Sequence, residues 1–487
     1  MTKKIKQPTL LDAMIPLLSL IFLLGTSVYF FGEDSSYGAN QIVLMFCAGI
    51  ASIVGLKNGI KWQQIEEGII NGISMAMGAM LILLTVGGLI GTWIQAGIVP
   101  TMVYYGLMIL SPDWFYAASC LICAVIAISI GSSWTVAGTI GIGLIGIAGG
   151  LGLSLEITAG AIISGAYFGD KMSPLSDTTN LAPAVTGTNL FAHIRHMTWT
   201  TIPSLTIALI LFIFIGLGTD VSGEMAAMDE TLSILKGEFQ ISIFLLLPLF
   251  LVLYMAMSKV PALATIFIGA LIGGVFGAIF QTDAIIKAVN QPDLSNGAAL
   301  LQGVWVALAD GYTSNTGNEV IDGLLTRGGM SSMLVTLWLI ITAMAFGSVL
   351  ETTGLLQRVV KSILTLVHST GSMIAATIVT CIGTNILAAD QYIAIVLPGR
   401  MYKLEFQRRG LDPKNLSRVL EDSATITSPL IPWNTCGAFM AGTLGVATFA
   451  YLPYCFFNLV NPIISMIYGF TGFKLVPLEE GATAEAS

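Results

Sequence analysis

Apolar segments long enough to cross a lipid bilayer recur along the whole of this 487-residue chain. A transmembrane helix needs about 20 such residues, and only helices or closed barrels satisfy the backbone inside lipid. Charged residues make up 10% of the chain, against roughly 25% in a soluble domain. The sequence therefore predicts an all-α polytopic membrane protein of about 11–14 transmembrane helices, organised as one domain over residues 1–487.

Composition and motifs exclude several classes of function. The formal net charge of −8 comes without any basic patch, so a nucleic-acid partner is not expected. The glycines of GIGLIG at 141–146 lie in an apolar segment and fit helix packing better than nucleotide binding. The pair His193 and His196 has no third ligand in view, so no transition metal is predicted. Neither an enzyme's nucleophile–base pair nor a cofactor motif is visible.

Charge asymmetry between segments predicts the orientation of the chain in the membrane. Three lysines precede the first apolar run, 10–31, which is longer than the roughly 7–15 residues of a signal-peptide core. The predicted loop 398–418 is rich in Lys and Arg, whereas the predicted loop 219–239 is acidic. By the positive-inside rule, the N-terminus and 398–418 face the cytoplasm and 219–239 faces out. The C-terminal stretch 471–487 is expected to be a flexible tail.

A polar break at 165–189, GAYFGDKMSPLSDTTNLAPAVTGTN, interrupts the apolar pattern. It carries Asp170, Lys171 and Asp177 together with several hydroxyls, and Pro174 and Pro183 disfavour a continuous helix through it. At membrane depth, irregular backbone persists only where protein buries it or where it lines a water-filled cavity. Broken segments of this kind are the best sequence indication of a transport site.

Two parts of the chain resemble each other in order and spacing, which predicts an internal duplication. The matched elements are Gly97 with Gly354, Ile130-Gly131 with Ile382-Gly383, and Ser173-Pro174-Leu175 with Ser428-Pro429-Leu430. We assign repeat one to 69–196 and repeat two to 331–452. The basic segment lies inside repeat two, whereas its counterpart near 149–156 contains no Lys or Arg. This difference predicts inverted topology with discontinuous helices, an architecture of secondary transporters.

The predicted breaks are Gly131-Ser132-Ser133 and SPLSDTTN in repeat one, and Gly383-Thr384-Asn385, followed by Asp390, and SPLIPWNT in repeat two. The polar residues at these breaks form the predicted binding site. Their hydroxyl, amide and carboxylate oxygens suit a partly dehydrated Na+, because hard cations prefer oxygen ligands. Helix N-termini at the same breaks would instead hold an anionic group, and the sequence leaves these two alternatives open. The candidates are Ser132, Ser133, Asp170, Ser173, Asp177, Thr178, Asn180, Thr384, Asn385, Asp390, Ser428, Asn434 and Thr435.

Carboxylates beside apolar segments narrow the range of possible functions to ion or proton transport. Intramembrane acids are costly and mark ion or proton paths, and here they are Asp170, Asp177, Asp310, Glu351, Asp390, Glu421 and Asp422. A carboxyl shielded from water can carry a proton that a bound Na+ displaces, which is sufficient for antiport. Asp177 and Asp390 are the leading Na+ ligands because each lies on a break, with helix capping as the simpler alternative.

Two further features have more than one interpretation. Arg195, in FAHIRHMTW, is a possible clamp for an organic acid, a partner for a site carboxylate or a basic anchor at the membrane interface. The polar run 309–325 is either a gate with additional ligands or a capped polar loop.

Three motifs together, GDKMSPLSDTTN, HIRHM and GYTSNTGNEVIDGLLTRGGM, resemble the NhaC-type sodium/proton antiporter family. The resemblance covers roughly residues 10 to 470 and places the chain within a wider ion-transporter superfamily. It implies an inner-membrane exchanger of Na+ and H+ in the lipid bilayer, without ATP or a prosthetic cofactor. It further implies re-entrant hairpins, elevator-type movement and often a homodimer. The superfamily's hairpin-tip motifs match SPLSDTTN and SPLIPWNT here, although only the first contains an Asp.

The resemblance specifies the coupling ions better than the cargo. Members similar to this chain exchange malate for lactate with coupled ions, and others carry amino acids. The function we expect is Na+/H+ antiport by alternating access. The alternative is a Na+- or H+-coupled exchanger of a small organic anion or amino acid, and a gated channel is a third class.

Overall fold

The computed structural model describes residues 6–219, 225–365 and 367–478, and these form an all-α membrane protein. Residues 220–224 of the predicted external loop and 479–487 of the predicted tail lie outside these ranges. The α-helices are α1 (Leu10–Phe31), α2 (Ala39–Lys57), α3 (Trp62–Gln95), α4 (Ile98–Ile109), α5 (Pro112–Ile130), α6 (Ser133–Val136), α7 (Ile142–Gly150), α8 (Leu155–Met172), α9 (Asp177–Thr186), α10 (Leu190–Leu217), α11 (Met225–Glu238), α12 (Leu247–Met257), α13 (Ala262–Phe280), α14 (Thr282–Val289), α15 (Asn296–Ala309), α16 (Glu319–Leu325), α17 (Leu334–Thr352), α18 (Leu355–Leu364), α19 (Thr370–Ala388), α20 (Gln391–Arg408), α21 (Pro413–Leu420), α22 (Thr435–Leu444), α23 (Thr448–Tyr451) and α24 (Phe456–Thr471).

Within the described residues, nine helices are long and apolar enough to cross a membrane. Two helix pairs are bent at a short break, Glu230–Glu238 with Ile243–Met257 by 88° and Thr435–Leu444 with Thr448–Tyr454 by 89°. Counting each bent pair as one span gives 11, the lower end of the predicted range. The prediction of an all-α polytopic membrane protein is confirmed.

Small residues let the helices that lead to the polar break approach one another closely. A Cβ at Gly165 would lie 2.0 Å from the Cys120 carbonyl oxygen, and one at Gly169 would lie 2.3 Å from that of Ala124. Helix association in lipid depends on such close packing. The contact holds α8 tightly against α5 and thereby positions Asp170, which follows Gly169 directly.

The long helix α3 forms a framework between α13 and α17. On one side, Trp93 donates a hydrogen bond from Nε1 to the carbonyl oxygen of Gly269, at 3.0 Å. On the other side, Gly72 lies directly against the side chain of Ser348 on α17. Glycines on α3 and α13 allow both contacts, so α3 packs closely against two neighbouring helices along its length.

Four interruptions divide the helices around the polar breaks. The first lies at Gly131, which has φ 75°, between α5 and α6, and the second at Ala389, which has φ 57°, between α19 and α20. The other two separate α8 from α9 at 173–176 and precede α22 at 431–434. Helices α9 and α22 each have 10 residues and end at a left-handed glycine. Both are too short to span a bilayer.

Two sequence expectations about breaks are wrong. Helix α19 continues through Gly383, Thr384 and Asn385, because an isolated glycine inside a packed apolar helix costs only about 1 kcal/mol. The break comes instead at Ala389. The basic segment 398–418 is also mostly helical, since α20 runs to Arg408 and α21 begins at Pro413. The duplication itself stays a prediction.

Candidate functional site

The N-terminal ends of four helices, α6, α9, α20 and α22, meet at one cavity of about 690 Å³. We call it the carboxylate cavity. Its polar lining residues are Ser132, Ser133, Thr135, Asp170, Ser176, Asp177, Thr178, Asn180, Lys259, Asp390, Gln391, Tyr392 and Thr435. Two of these helices come from each half of the chain, so residues more than 200 positions apart share this one space.

Capping residues hold three of these helix ends in place. The hydroxyl of Ser132 accepts a hydrogen bond from the Thr135 N–H, at 3.2 Å. The Asp390 carboxylate accepts from the N–H groups of Tyr392 and Ile393, at 2.9 and 3.0 Å. Asn434 does the same for α22. Side-chain oxygens at the N-cap satisfy N–H groups that the helix itself leaves free, so the helices begin at the cavity wall.

Asp170 is one of two buried carboxylates that line the cavity. It lies in the last turn of α8 and is buried, and its Oδ2 accepts hydrogen bonds from the Ser133 hydroxyl at 2.6 Å and the Ser133 N–H at 3.1 Å. The second bond comes from the N-terminus of α6. Asp170 thus joins the first polar break to the second within the same half of the chain.

Asp177 and Asp390 complete a group of three carboxylates. Asp177 is exposed and is the first residue of α9, whereas Asp390 is buried and caps α20. Helix N-termini favour negative charge, and three of the four helix ends here already have a carboxylate of the protein itself. With Lys259 as the single amine among the lining residues, the ionised lining has a net negative charge and suits a cation.

Several predicted ligands lie behind the lining and brace it. Asn385 donates from Nδ2 to the Ala424 carbonyl oxygen at 2.6 Å and to the Thr427 hydroxyl at 3.1 Å. Asn434 in turn donates to Asn385 Oδ1 at 3.2 Å. These bonds connect α19 to the turn before α22. Their geometry fits support of the helix ends rather than contact with an ion in the cavity.

Three other predicted residues are similarly placed. The Ser428 hydroxyl donates a hydrogen bond to Oε1 of Gln391, at 3.3 Å, and Gln391 lines the cavity. Thr384 donates to the Thr380 carbonyl oxygen of its own helix, at 2.8 Å. Ser173 lies at the start of the turn that leads into α9 and is buried.

The structure puts a different cation at the cavity from the one suggested by sequence. Arg195 is exposed on α10, outside the carboxylate cavity. Lys259 lines the cavity instead, in the turn between α12 and α13, where it adopts φ 63°. Five polar lining residues are absent from the predicted ligands: Lys259, Thr135, Ser176, Gln391 and Tyr392. Gln391 and Tyr392 directly follow Asp390, so they could have been predicted as the sequence neighbours of a candidate capping acid.

The polar run 309–325 contains a caged acid. Asp322 accepts hydrogen bonds from the Ser314 hydroxyl at 2.7 Å and from the Thr316 N–H at 2.7 Å, among others. The Thr316 N–H is the chief group that holds the pKa of this carboxyl below its usual value. Protein donors already surround Asp322, so its carboxylate orders its own loop. Of the two predictions for 309–325, this contact pattern fits the capped polar loop and not the gate.

A second cavity, of about 730 Å³, lies beyond α22. Thr435, at the start of α22, lines the carboxylate cavity, whereas Ala441 and Leu444 near its end line the second one. Helix α3 shows the same division, with Ala76 at the first cavity and Ile90 at the second. The two cavities therefore lie at opposite ends of the short helix α22.

Comparison with known proteins extends over nearly the whole chain. Residues 165–473 match the Na+/H+ antiporter family. The chain is 39% identical over 434 residues to the Na+/H+ antiporter NhaC of Alkalihalophilus pseudofirmus, covering 89% of this chain and 90% of that protein.

Two further relatives have different cargo in their names. The chain is 35% identical over 473 residues to the malate-2H+/Na+-lactate antiporter of Bacillus subtilis, covering 96% of both. It is also 35% identical over 489 residues to the arginine/ornithine antiporter ArcD of Halobacterium salinarum, covering 99% of this chain and 96% of that protein. Similarity at this level thus includes both simple ion exchange and solute exchange.

Proposed function

This chain belongs to the Na+/H+ antiporter family, and from that premise we propose that it exchanges Na+ for H+ at the carboxylate cavity. The observation that carries the proposal is the meeting of Asp170, Asp177 and Asp390 in one space. Hydroxyl oxygens of Ser132 and Thr435 border the same space, and oxygen is the ligand that Na+ requires.

Competition for the same carboxylates couples the two ions. Na+ binds the ionised forms of Asp177 and Asp390, and Asp170 lines the same cavity. A proton on Asp177 removes the negative charge that attracts Na+, so each ion displaces the other. Exchange follows if the empty cavity rarely changes the side on which it opens.

Alternating access needs a path to both membrane faces. The placement of the two cavities at the ends of α22 supports a carrier in which movement around this short helix opens one side at a time. An elevator-type movement in a cell inner membrane, with a cytoplasmic N-terminus and a homodimeric assembly, extends this proposal. Each of these rests on the family resemblance and on the distribution of basic residues.

Proton flux in proteoliposomes tests the proposed exchange. A pH-sensitive dye inside the vesicles reports protons as Na+ is added outside, with no organic solute present. Inward Na+ movement should alkalinise the lumen because protons leave in exchange. A lumen that stays at constant pH at every Na+ gradient would contradict Na+/H+ antiport.

Neutralising Asp177 tests the site separately from the function. Asp177→Asn should abolish Na+-driven proton flux, because the amide neither carries a proton nor offers a negative charge to Na+. Asp293→Asn, at an exposed residue outside the cavity, is the matched control and should keep the wild-type rate. Retained flux with an unchanged pH profile in Asp177→Asn would exclude Asp177 as the proton carrier.

A solute exchanger is the second candidate, and one observation favours it. Lys259 lines the carboxylate cavity, where its amine could bind the carboxylate of a small organic acid. The cavity is also much larger than one Na+, and two relatives are named for malate/lactate and arginine/ornithine exchange. Proton flux that begins only after malate, lactate or an amino acid is added would support this candidate over simple antiport.

A further inference from the structure

Helix α8 presents two consecutive charged residues to different surroundings. Asp170 lines the carboxylate cavity, whereas the next residue, Lys171, is fully buried and does not line it. Lys171 Nζ donates hydrogen bonds to the carboxylate of Asp422 and, at 2.8 Å, to Oδ1 of Asn461. The last turn of α8 therefore connects the cavity to a buried charge cluster.

The cluster joins three further helices, two through Asp422 and one through Lys171. Thr200 on α10 donates from its hydroxyl to Asp422 Oδ1 at 2.9 Å. Arg418 on α21, also fully buried, places Nε 3.7 Å from Asp422 Oδ2. Asn461 on α24 donates to the Ser204 hydroxyl at 3.0 Å, which fixes its orientation toward Lys171.

Glu421 is the unusual member of this cluster. Its side chain is fully buried, and neither carboxylate oxygen has a hydrogen-bond partner among the described residues. An ionised carboxylate in such surroundings would lose its hydration without replacement, at a cost that normally keeps the group neutral. Burial therefore favours the protonated form of Glu421, which the positive charge of Lys171 opposes.

Charges of both signs act on Glu421. Lys171, Asp170 and Asp422 all interact with it electrostatically. The turn that holds Glu421 packs against α9, α10, α19, α20, α21 and α24. The buried titratable or charged side chains on these helices are His193, His196, Cys381, Tyr402 and Arg418. The others, among them Asp177 on α9 and Lys403 and Glu405 on α20, are partly or fully exposed. The negative charges of Asp170 and Asp422 equal the positive charges of Lys171 and Arg418, so the group is neutral while Glu421 holds its proton.

Na+ binding would disturb this balance by one positive charge next to Asp170. From this we propose that Glu421 is a second proton-binding group of the exchanger and that Na+ bound in the carboxylate cavity, which Asp170 also lines, expels its proton. The O–H bond of the carboxyl breaks, the proton passes to water, and the carboxylate that remains is attracted by Lys171. Linkage requires the reverse effect too, so a proton on Glu421 weakens Na+ binding by the same factor. This inference rests on the proposed Na+/H+ exchange.

Proton release on Na+ binding tests the inference without transport. The purified full-length protein, in weakly buffered detergent solution with a pH indicator, is titrated with NaCl, and protons released are counted against Na+ bound. Glu421→Gln mimics the protonated side chain and should release about one proton fewer per Na+. Its Na+ affinity should also lose much of its pH dependence, whereas the matched Glu405→Gln control, on the outer part of α20, behaves as wild type.

Sodium binding itself shows that the variant is folded. Glu421→Gln that binds Na+ and releases as many protons as wild type would overturn the inference. If Glu421→Gln does not fold, Glu421→Asp decides the matter: proton release with a shifted pH midpoint supports the inference, and an unshifted midpoint overturns it. A wild-type protein that binds Na+ without releasing any proton would instead contradict the proposed exchange, so the two failures are distinguishable.

Discussion

Lys171 and Asp422 form a fully buried ion pair whose partners are 251 positions apart in the chain. Desolvating two charges is costly, and their attraction compensates only while both are present. The pair connects the polar break at 165–189, in the first half of the chain, to the turn that precedes the break before α22, in the second half. It therefore links the two halves at the level of single residues.

Removing one partner of this pair should strongly destabilise the fold. Asp422→Asn leaves the Lys171 charge buried, which typically costs about 3–5 kcal/mol. Chemical unfolding in detergent, followed by tryptophan fluorescence, measures the free energy of unfolding. Glu405→Gln breaks a partly exposed pair with Arg409 and should cost less than about 1 kcal/mol. Equal losses in the two variants would contradict the importance of the buried pair.

Individual site residues were predictable to different degrees. Asp170, Asp177 and Asp390 were recognisable because a carboxylate beside an apolar segment is rare and costly. Lys259 was not, since a lysine in a turn is ordinary and nothing in the local sequence reveals which cavity it faces. The roles of Asn385 and Asn434 as braces depend on contacts across 49 positions, which no local pattern reports.

At the scale of elements, the site depends on where helices stop. Gly131 ends α5 with φ 75°, and a Cβ there would lie 2.7 Å from Leu175 Cβ and 2.8 Å from the Ser176 nitrogen. The glycine thus allows the break before α6 to contact the turn before α9. Both sides of the contact line the carboxylate cavity.

Gly131→Ala should weaken both stability and Na+ binding. A left-handed alanine costs about 1–2 kcal/mol, and its Cβ pushes the turn at Leu175 away from the cavity. We expect a lower free energy of unfolding and a Na+ KM raised by about tenfold, which corresponds to ~1.4 kcal/mol.

Gly25→Ala is the control for this substitution. Gly25 lies inside α1 with nothing within 4 Å of its added Cβ, so alanine there should keep the Na+ KM and slightly favour the helix. A wild-type KM in Gly131→Ala would show that the contact with Leu175 does not position the site.

Sequence patterns located some breaks and misplaced another. Pro174 correctly marked the end of α8, because proline disfavours a continuing helix. Pro183, by contrast, lies inside α9. The break at Ala389 has a left-handed backbone without a glycine, a conformation that surrounding contacts impose and that no local signal predicts.

At the scale of the whole molecule, the two cavities divided by α22 make a prediction about accessibility. Single cysteines at Lys259, in the carboxylate cavity, and at Glu319, in the second cavity, should react with a membrane-impermeant maleimide from opposite faces. All six native cysteines are buried, so the wild-type protein should show little labelling.

The labelling pattern also tests the proposed carrier. Reaction of both cysteines from the same face of right-side-out vesicles would contradict the arrangement of one cavity on each side. A change in the Lys259→Cys labelling rate on adding Na+ would report movement around α22, because reagent access depends on the side to which the cavity opens.

The sequence by itself determined the class of the molecule, because long apolar segments have only a few stable arrangements in lipid. It also indicated the carboxylates at the polar breaks, whose burial cost makes them conspicuous. Only the tertiary structure decided that four helix N-termini meet at one cavity, that Lys259 faces it, and that Glu421 is buried next to Lys171 and Asp422. These facts arise from packing between segments distant in the chain, where close contacts and shared charge, rather than local propensity, select the arrangement.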